Sequence, residues 1–432
     1  MVGLSASTDR GSSLTIQLLP RQIAGRALEY LRSFRVVIIN GPRQSGKTTL
    51  LHQLNQTLRG TYLSLDVGPL RAAAQADPAV FIANDPRLMM IDEIQRGGDD
   101  LVLAIKSVVD EDPARGQFVL AGSTRFLSTP SLSESLAGRA GILEVWPFAQ
   151  QELAGAEESF IERAFADPGA LRDAPPSVLD RRDYFGLICR GGYPEPNAMS
   201  SALARDEWYH TYVQAIIDTD IREMARIEAP GNMRRLLNLA AAATAQELNT
   251  VKVASDLQLH RATVNNYLSL LETVFLIRHL PAWSPPNLMA RAVRRPKLHL
   301  SDTGLAAHLL GVDADGLAAR IAPSRGPLVE SFIVNEIAKQ ARWASFPVRL
   351  HHWRVSQGPE VDLVVERGNG RVIGLEAKAT DAISQDDFRG LAALRERLGD
   401  NFIHGFVLYT GDRSLSFGDR LTALPISAIW DR

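Results

Sequence analysis

Short apolar runs recur through the first third of the chain, at Phe34–Asn40, Thr61–Asp66, Leu88–Asp92, Phe118–Gly122 and Gly141–Val145. Stretches with apolar residues at helical spacing lie between them, and another precedes them over Pro20–Ser33. Short apolar runs alternating with helical patterns predict a parallel sheet covered on both faces. From about Ala149 to Arg226 the pattern is helical with loops, including a polar, proline-containing insert near Asp167–Val178. Leu237–Leu280 is helical again. Val329–Gln340 reads as a further helix, followed by alternating runs at Val348–Arg354, Glu360–Glu366, Val372–Ala377 and Phe402–Thr410, which predict a separate α/β unit.

Composition narrows the class without naming it. A length of 432 residues suits two or three domains, at roughly 100–200 residues each. A hydrophobic share of 45% and a charged share of 22% are those of a globular protein with real cores. The net charge of −2 carries no global nucleic-acid signature, so any such contact must come from local patches. Cys189, the single cysteine, excludes an internal disulfide framework and a cysteine zinc site, and reads as a buried bystander thiol. No apolar run approaches the ~20 residues of a membrane span. Met1–Leu14 lacks a signal-peptide apolar region and reads as a flexible leader, so a cytoplasmic protein is expected.

The most specific chemistry follows the first apolar run. Gly41-Pro42-Arg43-Gln44-Ser45-Gly46-Lys47-Thr48 is a full G-x-x-x-x-G-K-[ST] phosphate-binding loop, with Thr49 inside the helix it opens. Backbone N–H groups between Gly41 and Thr49, Pro42 excepted, and the helix N-terminus would face the phosphates, and Gly41 and Gly46 permit close backbone approach. Lys47 would supply charge near the β/γ-phosphates, and the Thr48 hydroxyl would reach Mg²⁺. Leu88-Met89-Met90-Ile91-Asp92-Glu93 is the complementary element. Asp92 would hold Mg²⁺ through its water shell, and Glu93 would orient and deprotonate the attacking water. Ser123 or Thr124, directly after the Phe118–Gly122 run, is the candidate sensor of the γ-phosphate, and Arg139 the candidate arginine finger, in cis or in trans. No N-K-x-D guanine motif stands where GTPases place one, which favours ATP. A small-molecule kinase also uses such a loop, but the Asp-Glu pair and the chain length count against it.

These residues resemble a known arrangement. Gly41–Thr48, Met90–Arg96, Gly122–Arg125 and Ser135–Arg139 are similar to the AAA-type ATPase module of a large prokaryotic family of uncharacterised ATP-binding proteins. That family pairs the module with a C-terminal domain of unknown function resembling restriction-endonuclease folds. Gly191-Gly192-Tyr193-Pro194 and Pro296-Lys297-Leu298-His299-Leu300-Ser301-Asp302-Thr303-Gly304 match as well, so the resemblance runs from about Leu18 to Thr410. Gly192-Tyr193-Pro194 is similar to a lid motif near the nucleotide of related signalling ATPases, although a plain turn fits equally.

Two further constellations stand outside the ATPase motifs. Val251–Leu257 and Arg261–Thr273, joined by Gln258-Leu259-His260, form a helix-turn-helix pattern, and Phe275–Leu280 with Pro296–Leu300 would pair as a wing. In a nucleic-acid reader His260, Arg261, Thr263, Asn265 and Asn266 would face the groove, with the basic stretch Arg291–Lys297 on phosphates. AAA-type proteins also use such units for packing and partner binding. Near the C-terminus, Asp362 lies 14 residues before Glu376, a hairpin spacing, and Glu376 and Lys378 share a strand face. An Asp, a Glu and a Lys at one sheet end make the D…E-x-K pattern of Mg²⁺-dependent nucleases. Glu330 or Glu336 on the preceding helix would complete the shell, and the resemblance favours Glu330.

The expectation is therefore an α/β protein: a flexible leader over 1–17, an AAA-type P-loop core over 18–148, a helical lid over 149–236, a winged-helix-like unit over 237–310 and a PD-(D/E)xK-like domain over 311–432. Its expected activity is Mg²⁺-dependent ATP hydrolysis coupled to DNA or RNA binding or processing. The alternative is an ATP-dependent interaction switch with a protein partner and an inactive nuclease-like scaffold. Oligomeric state stays open.

Overall fold

Strand residues in the first third of the chain divide their apolar side chains between two faces, and that division builds the first layer of the protein. A computed structural model describes residues 19–83, 87–123, 135–224, 230–284, 295–355 and 358–431. Strands β1 (Val36–Asn40), β2 (Thr61–Ser64), β3 (Met89–Asp92), β4 (Phe118–Gly122) and β5 (Ala140–Glu144) form a parallel sheet in the order β2-β3-β4-β1-β5. Val36, Ile38, Met89, Ile91, Phe118 and Leu120 pack into one core. Their neighbours Val37, Ile39, Met90, Val119 and Ala121 pack into another on the opposite face. The period of two alone produces this separation, and it explains why β1 is buried along its whole length. The helix Ile23–Ser33 covers one face and Asp99–Glu111 the other.

The middle of the chain is helical, as expected, through Arg181–Arg190, Ala202–Ala215 and Pro230–Ala242. Helices Thr250–Leu257 and Arg261–Thr273 follow, with a turn at Gln258, whose φ of 55° closes the first helix. A small antiparallel sheet completes this part, with β6 (Gln246–Glu247), β7 (Ile277–Leu280) and β8 (Lys297–Leu300) ordered β6-β8-β7. Val253, Leu257, Val264, Leu268 and Leu271 are buried together, while His260, Arg261, Asn265 and Asn266 are exposed. Arg291–Arg294 of the basic stretch, and the leader, lie outside the described residues.

The C-terminal unit is a mixed sheet ordered β13-β14-β12-β11-β10-β9. Its strands are β9 (Val348–Arg354), β10 (Glu360–Arg367), β11 (Val372–Lys378), β12 (Phe402–Tyr409), β13 (Leu415–Ser416) and β14 (Leu421–Pro425). β9, β10 and β11 run antiparallel; β12 and β14 lie parallel to β11. One continuous apolar cluster runs from Phe160 through Leu236, Leu271, Leu300 and Phe332 to Phe406 and Trp430. The helical middle and the C-terminal sheet are thus packed as one body. Among the described residues no helix is long and apolar enough to cross a membrane.

Candidate functional site

The phosphate loop leaves β1 and turns into the helix Lys47–Leu58 through Gly46, whose φ of 94° is open to glycine at low cost. A Cβ on Gly41 would stand 2.1 Å from the Val145 carbonyl oxygen, so the loop can lie against the end of β5 only with glycine there. Lys47 is buried, and its ammonium donates to the carbonyl oxygens of Gly41 (3.0 Å) and Pro42 (2.9 Å). Burial lowers its pKa to about 8, against the opposing pull of Glu93 and Asp92. The Ser45 hydroxyl is buried with no hydrogen-bond partner. An ammonium resting on carbonyl oxygens, beside an unsatisfied hydroxyl and a helix N-terminus, is a ready receptor for phosphate. Thr49 lines the same cavity, of about 960 Å³, along with Arg43, Gln44, Gly46, Lys47 and Thr48.

β4 lies between β1 and β3, so its C-terminal end opens between the loop and the acids. The Thr48 hydroxyl donates to Asp92 Oδ2 at 2.7 Å, bringing both expected Mg²⁺ ligands into contact across 44 residues of chain. Asp92 also accepts from Tyr62 (3.2 Å) and from the Glu93 N–H (3.1 Å). Burial, then Asp92, raises the Tyr62 pKa to about 12. Glu93 takes a left-handed backbone with φ of 55°, a conformation that costs a non-glycine residue about 1 kcal/mol or more. Its pKa is raised by burial, with Lys47 opposing. These residues fit Mg²⁺ and a triphosphate: Lys47 and the loop N–H groups would hold phosphate, and Thr48 and Asp92 the metal.

Gln95 escaped the sequence reading. Its amide donates to Glu93 Oε2 and to the Ser123 hydroxyl (3.3 Å), linking the expected water activator to the end of β4. Gly122 makes room for it, since a Cβ there would sit 2.8 Å from Gln95 Oε1. Thr124 lies outside the described residues. Arg139 corrects an expectation. It precedes β5 and is level with Val36, at the edge of the sheet opposite the phosphate loop, because the strands run parallel. There its guanidinium pairs with Asp110, with Oδ2 at 3.0 Å. A finger acting in cis is excluded by that placement.

Arg21 was also missed, because nothing around Pro20-Arg21 marks it locally. It is buried and donates to Glu152 (2.9 Å), to the Ser45 carbonyl (2.7 Å) and to the Trp146 carbonyl (2.6 Å), with its guanidinium over the Phe148 ring. From the helical middle, Asp220 pairs with Arg43 at 3.0 Å, and the Tyr212 hydroxyl donates to the Arg43 carbonyl. Gly192-Tyr193-Pro194 is more than a turn. Gly192 donates to Asp302 Oδ2 at 2.7 Å and accepts from the Phe148 N–H at 2.8 Å, and Pro194 lines the cavity. Cys189 is half-buried, and burial pushes its thiol up to about 12, as befits a bystander.

The C-terminal residues meet in a second cluster. The register Leu363–Leu375 puts Asp362 opposite Glu376, and Glu330 approaches from the helix Arg325–Gln340. Lys297 of β8 inserts between them, at 2.7 Å from Glu330 Oε1 and 3.0 Å from Asp362 Oδ1. It was expected on nucleic-acid phosphates, but it is buried on carboxylates instead. Lys378 pairs with Glu376 at 3.0 Å. Glu336 faces elsewhere, accepting from the Gln150 N–H and pairing with Lys339.

Sheet order, phosphate loop and acid pair together define a P-loop nucleotide-binding domain. Residues 33–154 match the family model described as "AAA domain", so the chain carries an AAA-type P-loop ATPase domain. Residues 325–429 match a domain of unknown function (DUF4143), and residues 181–316 another (DUF8612). Among whole proteins, the chain is similar to the uncharacterized protein Rv2008c of Mycobacterium tuberculosis and to Mb2031c of Mycobacterium bovis. Each is 29% identical over 429 residues, covering 99% of this chain and 87% of the relative. Among solved structures, the Walker-type ATPase paby2304 of Pyrococcus abyssi superposes with a TM-score of 0.45 at 16% identity, covering 68% of this chain and 96% of that one.

Proposed function

We propose that this protein is an Mg²⁺-dependent ATPase whose nucleotide state is passed to its helical middle and C-terminal sheet. The observation that carries the reading is the contact between Thr48 and Asp92 beside a buried Lys47 ammonium that rests on the Gly41 and Pro42 carbonyl oxygens. Mg²⁺ would neutralise charge on the β- and γ-phosphate oxygens. The loop N–H groups and Lys47 bind phosphate, and Glu93 takes the proton of the attacking water. Gln95 and Ser123 hold Glu93 in place between turnovers. Phe148, Leu187 and Trp208 give the cavity apolar walls against which a base can bind. Arg43–Asp220 and Tyr212 carry a change at the loop into the middle helices.

ATP turnover and nucleotide binding by Lys47→Ala and Glu93→Gln test this. The first loses binding; the second binds and turns over at least ~10²-fold more slowly. Unchanged turnover in Lys47→Ala overturns the reading.

For the partner, the exposed polar face of Arg261–Thr273 supports nucleic acid, tested with labelled DNA and RNA with and without ATP. A second reading has a specific observation behind it: Lys297 sits among the acids of the nuclease-like cluster. On that reading ATP is a switch and the tail is a scaffold, and no cleavage accompanies binding.

A further inference from the structure

The D…E-x-K pattern implies Mg²⁺ on the carboxylates of Glu330, Asp362 and Glu376 with Lys378 at its water, and the folded residues do not fit one. A divalent ion of this kind needs several carboxylate oxygens turned toward a shared, hydrated position. Here four of the six carboxylate oxygens are already used. Glu330 Oε1 and Asp362 Oδ1 both accept from the Lys297 ammonium, and Asp362 Oδ2 accepts from the Ala377 N–H at 3.0 Å. Glu376 Oε1 accepts from Lys378, leaving Oε2 buried with no hydrogen-bond partner. Among the described residues no group of three or more His, Cys, Asp or Glu side chains is arranged to hold a metal.

The lysine is not a passing visitor. Its side chain is only 6% exposed, and it reaches the cluster from a different sheet, 65 residues before Asp362. The strand that carries it is braced on the same side: His299 contacts the Ser331 hydroxyl at 3.0 Å, next to Glu330 on its helix. Burial disfavours the ammonium, but Asp362 and then Glu330 outweigh it and hold the pKa above the ordinary lysine value. A bulge in β10 between Val361 and Val364 falls at Asp362, as bulges do where a strand must re-aim a side chain.

We propose that Lys297 is the resident cation of the C-terminal acidic cluster: its ammonium takes the place of a divalent metal, closes the cluster to metal-dependent chemistry, and ties the β6-β8-β7 sheet to β10 and the helix Arg325–Gln340. The inference deepens the scaffold reading above. An oxygen-preferring divalent cation is the ligand the acids would accept once the lysine is gone.

The test is Mn²⁺ binding to the full chain without nucleotide, followed by the electron paramagnetic resonance of free Mn²⁺, so that its outcome is separate from the ATPase reading. Wild type has no Mn²⁺ site that Asp362→Asn removes. Lys297→Met gains one, at least ~10-fold tighter than any in wild type, and loses it again when Asp362→Asn is added. Mn²⁺ raises the Tm of Lys297→Met more than that of wild type, and the excess disappears when Asp362→Asn is added, because a ligand that binds only the folded state stabilises it. Wild-type Mn²⁺ binding abolished by Asp362→Asn overturns the proposal, as does a cooperatively folded Lys297→Met that takes up none. Acylation of wild type, mapped by mass spectrometry, covers the case in which the variant does not fold. Lys297 stays protected while exposed Lys252 reacts, and equal rates at both overturn the proposal.

Discussion

Lys47 carries the chemistry of the phosphate loop and a cost with it. Among the described residues its ammonium donates to two carbonyl oxygens, and burial brings its pKa down to about 8. The sign of the pH effect follows. Below pH 8 the lysine is charged and attracts phosphate; above it, binding must first restore the proton. Nucleotide affinity therefore falls as pH rises through about 8, by at most about tenfold per pH unit, which titrations of a fluorescent nucleotide from neutral to alkaline pH will measure. A flat profile would place this lysine in an ordinary, solvated environment. Glycines were legible at this scale because their spacing is local. Gln95 was not, since its value depends on Gly122 and Ser123 lying beside it from another strand.

Among the elements, the junction around Asp302 joins three of them. Asp302 caps the helix Thr303–Leu310 through Leu305 N–H (3.0 Å) and accepts from Gly192 N–H and the Tyr209 hydroxyl (3.1 Å). Gly191 and Gly304 make the space, since a Cβ at either would press on Asp302 or Tyr209 at 2.3 Å. Two sequence motifs far apart in the chain are thus halves of one buried contact. Asp302→Ala removes a cap, worth about 1–2 kcal/mol, and strands the buried Leu305 and Gly192 N–H groups, while the Tyr209 hydroxyl keeps the Arg190 carbonyl as acceptor. A loss of roughly 2–4 kcal/mol in urea unfolding is expected, and a change within error would mean that water satisfies those donors. Strand and helix positions were largely readable here, because period and turn chemistry act within a few residues. β14 was not, since Leu421–Pro425 is short and gains its identity from burial beside β12.

For the molecule as a whole, the decisive feature is that the apolar cluster from Phe160 to Trp430 crosses every expected boundary after the first sheet. Leu328, Phe332 and Ile337 on the helix Arg325–Gln340 belong to the same cluster as Leu236 and Leu271. A chain cut before Arg325 exposes that shared face and should aggregate or bind hydrophobic dyes, since contiguous apolar surface of that extent is not tolerated in water. A soluble truncation with a cooperative unfolding transition would show the two parts to be separable. The coupling proposed between nucleotide and tail would have a physical route: Phe148 contacts both Gly192 and Lys339, within one bonded network.

Order along the chain was enough to read the phosphate loop, the Asp92-Glu93 strand end and the Asp362–Glu376 hairpin, because each is made by neighbours whose spacing is a few residues or one turn. Which charges would meet was a different matter. Arg21 finds Glu152 across 131 residues and Lys297 finds Asp362 across 65, while Arg139 is carried to the far edge of its sheet by strand direction. Those pairings come from packing, which brings together groups whose local sequence holds no trace of one another. The same packing sets Lys297 among the carboxylates where the pattern led us to expect a metal.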